Sequence, residues 1–144
     1  VVVACHVLEH IPRSGRDAFL DSLMIKAKKA VILINPFQSK ESNRQLEFIN
    51  KEWKTRWAQE HLDCEMPRTE DVLDYAERRG LSCKMTPNGN TATTFALIWL
   101  DLVMKRKETR DKWYRVNRFV NTQMMHMMDS DQFPTAYLTV LERK

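Results

Sequence analysis

The chain has 144 residues, 43% of them hydrophobic, and a formal net charge of +4, a composition that predicts a soluble globular fold with a sizeable core. No apolar stretch is long enough to span a bilayer, and the chain start lacks the basic lead and small-residue cleavage site of a signal peptide, so we expect neither feature. Three cysteines without CxxC spacing argue against a disulfide framework or a zinc cluster and favour a reducing, cytoplasmic setting.

The first predicted unit is a strand, a helix and a second strand. Val1–Cys5 is a β-branched run without polar alternation, which indicates a strand buried on both faces. The spacing of Ser14 and Asp17 predicts a capping box at the start of the helix. Ala30–Ile34 is a second run of the same kind. Residues 1–34 therefore predict a right-handed crossover that joins two neighbouring parallel strands.

The middle and the end of the chain alternate between helix and strand. Glu41–Glu60 has the apolar spacing of one helix, and Thr69 is the predicted cap of the next, which Gly80 ends in a left-handed conformation. Leu81–Thr86 is a short strand, and Ala136–Leu141 is the last one. We therefore predict an α/β layered fold with a mostly parallel sheet, in which the closing strand is the candidate for an antiparallel insertion.

Two more helices are predicted between these last strands. Phe95, Ile98 and Trp99 follow helical spacing, as do Trp113 and Val116 further along. Trp99, like Trp53 and Trp57, is expected to belong to the core, and lining a pocket is the alternative. The whole chain, residues 1–144, is predicted to be one domain with helical insertions near 40–66 and 91–131.

Three segments carry a resemblance to a known family. VVVACHVLEHIP, the helix start Arg16–Leu20 and AVILINPF together resemble the middle of a class I S-adenosylmethionine-dependent methyltransferase. In that family a strand ends in a segment of the form vLEHip, a helix follows, and the next strand has a proline just beyond it. Downstream segments, namely Glu60-His61-Leu62, Met66-Pro67, Asn117-Arg118-Phe119 and Phe133-Pro134, are similar to a bacterial subgroup associated with glycan or cell-surface biosynthesis.

The resemblance implies a Rossmann-like methyltransferase fold with a final antiparallel strand. It also implies S-adenosylmethionine as the cofactor and a small-molecule or glycan acceptor for the methyl group. The glycines Gly15, Gly80 and Gly89 are isolated, so the chain lacks the glycine-rich turn that holds the cofactor in the family. We therefore expect the chain to be the C-terminal portion of such a domain, with the N-terminal part missing, and to be inactive alone.

The end of the first strand holds the candidate site. The resemblance implies that Ala4, Cys5 and His6 line the cofactor pocket, because ligands of open α/β sheets bind beyond the carboxyl ends of strands. His10 is the candidate catalytic residue, since an imidazole with a pKa near 6.5 suits a general base at neutral pH. Two simpler interpretations stay open: Cys5 is a small buried filler, and Glu9 and His10 only fix the turn.

A metal site is the alternative to a general base at this position. His6-x-x-Glu9-His10 is similar to the E-x-x-E-H motif of ubiquinone-biosynthesis and small-RNA 2′-O-methyltransferases, in which those side chains bind a divalent metal. His6 replaces the first glutamate, and Mg²⁺ prefers oxygen ligands, so we predict no metal, although His61 would be a candidate fourth ligand. After the second strand, Asn35-Pro36-Phe37 predicts a strand end with a substrate-facing aromatic ring.

Two other functions stay open. One is a non-catalytic α/β binding module whose basic helix docks a partner. The other is an RNA methyltransferase, in which basic residues between Lys105 and Arg118 contact phosphates. The simpler interpretation of that stretch is a solvated helical face. A nucleic-acid partner is not favoured, because a net charge of +4 does not by itself imply one.

Overall fold

The structure is a computed structural model that describes residues 1–104, 107–124 and 134–144. Within these ranges it contains four strands, which are β1 Val2–Cys5, β2 Ala30–Pro36, β3 Leu81–Asn88 and β4 Ala136–Arg143. The same ranges hold six α-helices, which are α1 Arg16–Lys26, α2 Lys40–Trp53, α3 Arg56–Asp63, α4 Thr69–Arg78, α5 Thr91–Val103 and α6 Lys107–Phe119. None of these helices combines the length and the apolar character that crossing a membrane would need.

The four strands form one mixed sheet in the order β1-β2-β4-β3. β1 and β2 are parallel, and Cys5 pairs with Ile34 at their carboxyl ends. β4 runs antiparallel to β2, so that Ile32 lies opposite Val140. The predicted α/β fold with a mixed sheet is therefore confirmed.

The chain divides into two compact units. The sheet unit comprises Val1–Thr86 and Ala136–Lys144, and the helical unit comprises Pro87–Thr135. The prediction of one domain with helical insertions stays a prediction, and part of the second insertion lies outside the described residues.

The core of the sheet unit is centred on β2. Val31 and Leu33 are completely buried there, and Leu141 of β4 is buried beside them. Leu20 of α1 and Tyr75 of α4 belong to the same buried cluster. Burying an aliphatic side chain of this size stabilises the fold by roughly 1.5–3 kcal/mol. The apolar run of the second strand was therefore correctly interpreted as core.

β1 does not share this burial. It lies at the edge of the sheet, where Val3 is 59% exposed, Cys5 is exposed and Ala4 is buried. The prediction that Val1–Cys5 is buried on both faces is wrong. The physical reason is that β1 is an edge strand, which pairs with β2 alone and has neighbouring strand residues on one side only.

The predicted helix Glu41–Glu60 is two helices. α2 ends at Trp53, and the next residue, Lys54, has a left-handed backbone with φ of 50° and donates its amide to the carbonyl oxygen of Asn50. The sequence has neither glycine nor proline at this break, and the apolar residues keep helical spacing across it. The pattern therefore predicted one helix. α2 begins with a reciprocal capping box between Ser39 and Ser42.

The two predicted helix caps of the sheet unit are wrong, and the predicted glycine stop is confirmed. A short 3-10 turn over Arg13–Gly15 precedes α1, which therefore begins after Gly15 without a side-chain cap. Thr69 is the first residue of α4, and Arg68 before it makes no capping hydrogen bond. Gly80 ends the segment after α4 with φ of 62°, a conformation that glycine adopts without a steric penalty.

In the helical unit the predicted apolar positions differ in burial. Asn90 caps α5 by accepting hydrogen bonds from the amides of Ala92 and Thr93. Trp113 of α6 is buried, whereas Val116 is 52% and Trp99 is 40% exposed. The prediction that Trp99 belongs to the core is therefore wrong.

Candidate functional site

The carboxyl ends of β1 and β2 place polar side chains from distant parts of the sequence side by side. His6 follows β1, and its amide donates to the carbonyl oxygen of Ile34 at 2.8 Å. Its φ of 53° lies in the left-handed region, which is uncommon for a residue other than glycine. This backbone turn directs the chain into a 3-10 turn over Leu8–His10.

Glu9 lies at the centre of this corner and is 1% exposed. One of its carboxylate oxygens lies 3.2 Å from Nδ1 of His6, and the other accepts a hydrogen bond of 2.5 Å from the side-chain amide of Asn35. Oδ1 of Asn35 is buried and makes no hydrogen bond to the described residues. Glu9 thus joins the ends of two parallel strands, which is compatible with the simpler interpretation that it fixes the turn.

The surroundings of Glu9 favour its charged form. Burial raises the pKa of Glu9, but hydrogen bonds from His6, from a backbone amide and from Asn35 outweigh burial and hold the pKa below its ordinary value. The hydrogen bond to Glu9 raises the pKa of His6, against the opposing effect of partial burial. The corner therefore holds a buried carboxylate whose negative charge is stabilised by its neighbours.

A pair of histidines, His10 and His61, lies beside Glu9. Nε2 of His10 lies 3.4 Å from Nε2 of His61, which α3 contributes. On the other side of the His10 ring, Nδ1 lies 3.9 Å from a carboxylate oxygen of Glu60. The ring of Trp57 packs edge-on against His61 at 5.6 Å between centroids. Burial, followed by the charge of His10, lowers the pKa of His61 and favours its neutral form.

Glu9, His10 and His61 form what we call the histidine–glutamate cluster. One ligand atom from each of these side chains lies within 4.8 Å of the other two. Two imidazoles and a carboxylate at such distances are chemically able to bind a divalent cation or to hold and transfer protons. The sequence analysis named all three residues, with His61 as a candidate fourth ligand, and the structure brings them together.

Arg16 holds the two chain segments of the cluster in place, and the sequence analysis missed this role. Its guanidinium is buried, and it donates to the carbonyl oxygens of Ile11, Cys64 and Glu65. Ile11 directly follows the turn that carries His10, and Cys64 follows α3. In the sequence Arg16 stands out only as part of the helix start that carries the family resemblance, and nothing there indicates its contacts with carbonyl oxygens.

The structure also locates the remaining predicted site residues. Ala4 is buried in β1, whereas Cys5 is exposed, which rules out the interpretation of Cys5 as a buried filler. The His6 side chain is 64% exposed. Phe37 was expected to face substrate, but it is buried against Tyr137 with ring centroids 5.6 Å apart. The assignment of Phe37 to a substrate pocket is therefore wrong, because its ring belongs to the core.

A separate cavity of about 360 Å³ borders α1 and α4. Two ion pairs lie in its lining: Arg13 contacts Asp71 at 2.8 Å, and Arg78 contacts Asp17 at 2.6 Å. None of the predicted cofactor-binding residues lines this cavity.

Comparisons with known proteins give the following matches. No family model and no curated protein matches the chain. Among solved structures, the plantazolicin methyltransferase BamL, in complex with a triazolic desmethylPZN analog and SAH, shares 10% identity over 98% of this chain and 52% of its own, with a TM-score of 0.45. A cyclopropane-fatty-acyl-phospholipid synthase-like protein from Lactobacillus casei ATCC 334 shares 10% identity over 98% of this chain and 54% of its own, with a TM-score of 0.43. The chain thus spans about half the length of each.

Proposed function

We propose that this chain is the C-terminal portion of an S-adenosylmethionine-dependent methyltransferase domain that acts on a small-molecule or glycan acceptor. The sheet topology carries this proposal. The family resemblance of residues 1–37 implies two parallel strands joined by a helix and a last strand that inserts antiparallel. β1, α1 and β2 have the first arrangement, and β4 has the second, between β2 and β3.

The end of β1 fits one wall of a cofactor pocket. Ligands of α/β sheets bind beyond the carboxyl ends of the strands, which is where the Cys5 thiol and the His6 imidazole are exposed. Bound S-adenosylmethionine supplies a methyl group activated by a sulfonium. The glycines of this chain are isolated and do not form the glycine-rich turn that holds the rest of the cofactor in the family. Residues outside this sequence would therefore hold its methionine and ribose parts.

His10 is proposed as the group that removes a proton from the acceptor. Methyl transfer requires the acceptor atom to be aligned with the methyl carbon and, for a hydroxyl, to lose its proton. The side chain of His10 is 41% exposed at the same corner, and Glu60 lies close to its Nδ1. An accessible imidazole beside a carboxylate suits proton transfer at neutral pH.

The cofactor proposal is tested by thiol footprinting on the natural full-length protein. Bound S-adenosylhomocysteine should slow the alkylation of Cys5 by about 10-fold or more, and calorimetry should show binding of the same ligand. Cys83 of β3 is the matched control, because β3 lies at the edge of the sheet opposite β1, and the alkylation rate of Cys83 should stay unchanged. Absence of binding, or equal rates at Cys5 with and without ligand, would contradict the proposal.

The catalytic proposal is tested separately with His10→Ala. Release of S-adenosylhomocysteine should fall by about 10²–10⁴-fold with an acceptor present, the usual contribution of a general base. Cofactor affinity should stay within about twofold of the unmodified protein. Full turnover by His10→Ala would remove His10 from the mechanism without affecting the cofactor assignment.

A further inference from the structure

We infer that the cavity bordering α1 and α4 binds a small zwitterion of the amino-acid type, whose carboxylate meets Arg16 and whose ammonium group meets the carboxylates of α4. All residues that line this cavity belong to the sheet unit. Its volume of about 360 Å³ lies within the range of roughly 300–1,000 Å³ that small-molecule pockets have. The inference is independent of the proposed methyl transfer, since none of the predicted cofactor-binding residues lines the cavity.

Arg16 contributes a buried positive charge to the lining. The residue is 5% exposed, and within the described part of the chain its guanidinium donates to carbonyl oxygens, which carry no formal charge. Its Nη1 is enclosed and makes no hydrogen bond to the described residues. Burial lowers the pKa of Arg16. Because a buried charge is destabilising unless an opposite charge compensates it, a carboxylate bound beside Arg16 is electrostatically favourable.

The helix α4 contributes negative charge to the same cavity. Asp71 and Asp74 lie three residues apart on this helix, and both line the cavity. One oxygen of Asp71 pairs with Arg13 at 2.8 Å, whereas the other is enclosed and makes no hydrogen bond to the residues that the structure describes. Asp74 is exposed. Ionised carboxylates accept hydrogen bonds and cannot donate them, so these side chains suit an ammonium group.

The balance of charges in the lining determines the class of ligand. The charged lining residues are three arginines and three aspartates, namely Arg13, Arg16, Arg78, Asp17, Asp71 and Asp74. Ion pairs join Arg13 to Asp71 and Arg78 to Asp17, which leaves Arg16 and Asp74 as charges of opposite sign. An anion such as a phosphate ester would be repelled by the aspartates, and a cation by the arginines. A ligand that carries one charge of each sign fits this lining best.

The start of α1 favours the same orientation of the ligand. Arg16 is the first residue of α1, and Gly15 before it provides no side-chain cap. The N-terminal end of a helix carries partial positive charge and attracts an anionic group. The hydroxyl of Ser14, which also lines the cavity, is able to donate a hydrogen bond to a carboxylate. The carboxylate of the ligand therefore lies toward α1 and its ammonium group toward α4.

The test is a titration of the natural full-length protein followed by NMR chemical shifts. The zwitterionic probes are 4-aminobutyrate and 6-aminohexanoate, and the matched probes with a single charge are butyrate and butylamine. At least one zwitterion should bind saturably, with a Kd at least about 10-fold lower than that of butyrate or butylamine, because it gains a second charge-assisted hydrogen bond.

Asp74→Asn separates the two ends of the ligand. Asp74 is exposed, so the substitution should leave the fold intact. It should raise the Kd of the zwitterion by about 10-fold and leave that of butyrate within about twofold. Arg16→Lys should weaken both probes, since each uses the carboxylate end. Glu77→Gln is the matched control, because Glu77 is exposed on the same helix, does not line the cavity and should not affect binding.

Three results would overturn the inference: no saturable binding of either zwitterion, equal affinity for zwitterion and butyrate, or unchanged zwitterion affinity in Asp74→Asn. Displacement of the probe by S-adenosylhomocysteine would overturn it as well, because the probe would then occupy the cofactor site. Simultaneous binding of both supports a separate site. Cofactor binding and turnover are measured without these probes, so failure here leaves the methyltransferase proposal intact.

Discussion

β1 and β2 are parallel neighbours with almost the same kind of sequence, yet they occupy different environments. Both are short runs rich in valine and isoleucine or alanine. β2 pairs with β1 on one side and β4 on the other and is largely buried, whereas β1 pairs with β2 alone and exposes Val3 and Cys5. The comparison shows that strand pairing, and not the composition of the strand, decides which of two similar runs becomes core.

The largest expected difference between the two strands is the cost of removing a side chain. Leu33→Ala should lower the free energy of unfolding by about 2–5 kcal/mol, because Leu33 is fully buried and its loss leaves a cavity. Val3→Ala should change it by less than about 0.5 kcal/mol, since Val3 is exposed. Urea denaturation of both variants measures the difference. Equal costs would refute the comparison, and a larger cost for Val3→Ala in a longer natural protein would show that further residues cover β1.

The second effect concerns the link between the carboxyl ends of the two strands. Glu9→Ala should destabilise the fold by about 2–4 kcal/mol, because it leaves the buried amide of Asn35 without its acceptor. Glu77→Ala, at an exposed position of α4, is the control and should cost less than about 0.5 kcal/mol. A double-mutant cycle with Asn35→Ala should give a coupling energy of about 1–3 kcal/mol. Additive effects would mean that Glu9 does not join the strands.

A smaller effect is the pH dependence of the His6–Glu9 contact. The raised pKa of His6 means that its contribution is present below the unfolded value of about 6.5 and is lost as pH rises through the higher folded value. The lowered pKa of Glu9 means that its contribution is present above about 4.3 and is lost as pH falls through the folded value. His6→Ala should therefore destabilise the protein more near pH 5.5 than near pH 9.

The size of this difference is modest because the His6 side chain is largely exposed. We expect less than about 1 kcal/mol, after allowance for solvent screening. Thermal or urea unfolding of both proteins at the two pH values measures it. A cost that is the same at both values, or larger at the higher one, would show that the contact does not depend on a charged His6.

The smallest effect involves reactivity without a change in stability. Cys83 of β3 is half-buried, and burial raises its pKa, so less thiolate is present to react at neutral pH. Cys5 is exposed, so the isolated chain should alkylate faster at Cys5 than at Cys83, as followed by mass spectrometry. Slow reaction at Cys5 would restore the sequence-based expectation that β1 is buried on both faces.

The sequence was informative where structure depends on neighbouring residues. The strand–helix–strand order of residues 1–34 and the glycine stop at Gly80 follow from local patterns, and the structure confirms both. The break at Lys54 was not predictable, because a non-glycine residue adopts the left-handed conformation there without a local sequence signal. The exposure of β1 was not predictable either, since it depends on which strands pair.

In the candidate site, too, local sequence patterns predicted some residues, and contacts between distant parts of the chain determined the others. Glu9 and His10 stood out as adjacent polar residues after a strand, but their partners come from elsewhere in the chain. Asn35 reaches Glu9 through the register of two parallel strands, and His61 reaches His10 through the packing of α3. Arg16 contacts carbonyl oxygens, which any sequence provides, so no pattern of residue types reveals it.

The position of β4 has a consequence for how the protein is made. Pro36 of β2 pairs with Ala136, so the strand between β2 and β3 is synthesised after both of them and after the helical unit. Until β4 leaves the ribosome, β2 and β3 have no strand between them, and their backbone amides and carbonyls present open edges that favour aggregation. Of the four strands, β4 is therefore the last to be synthesised, and the pairing of β2 and β3 with it can form only then.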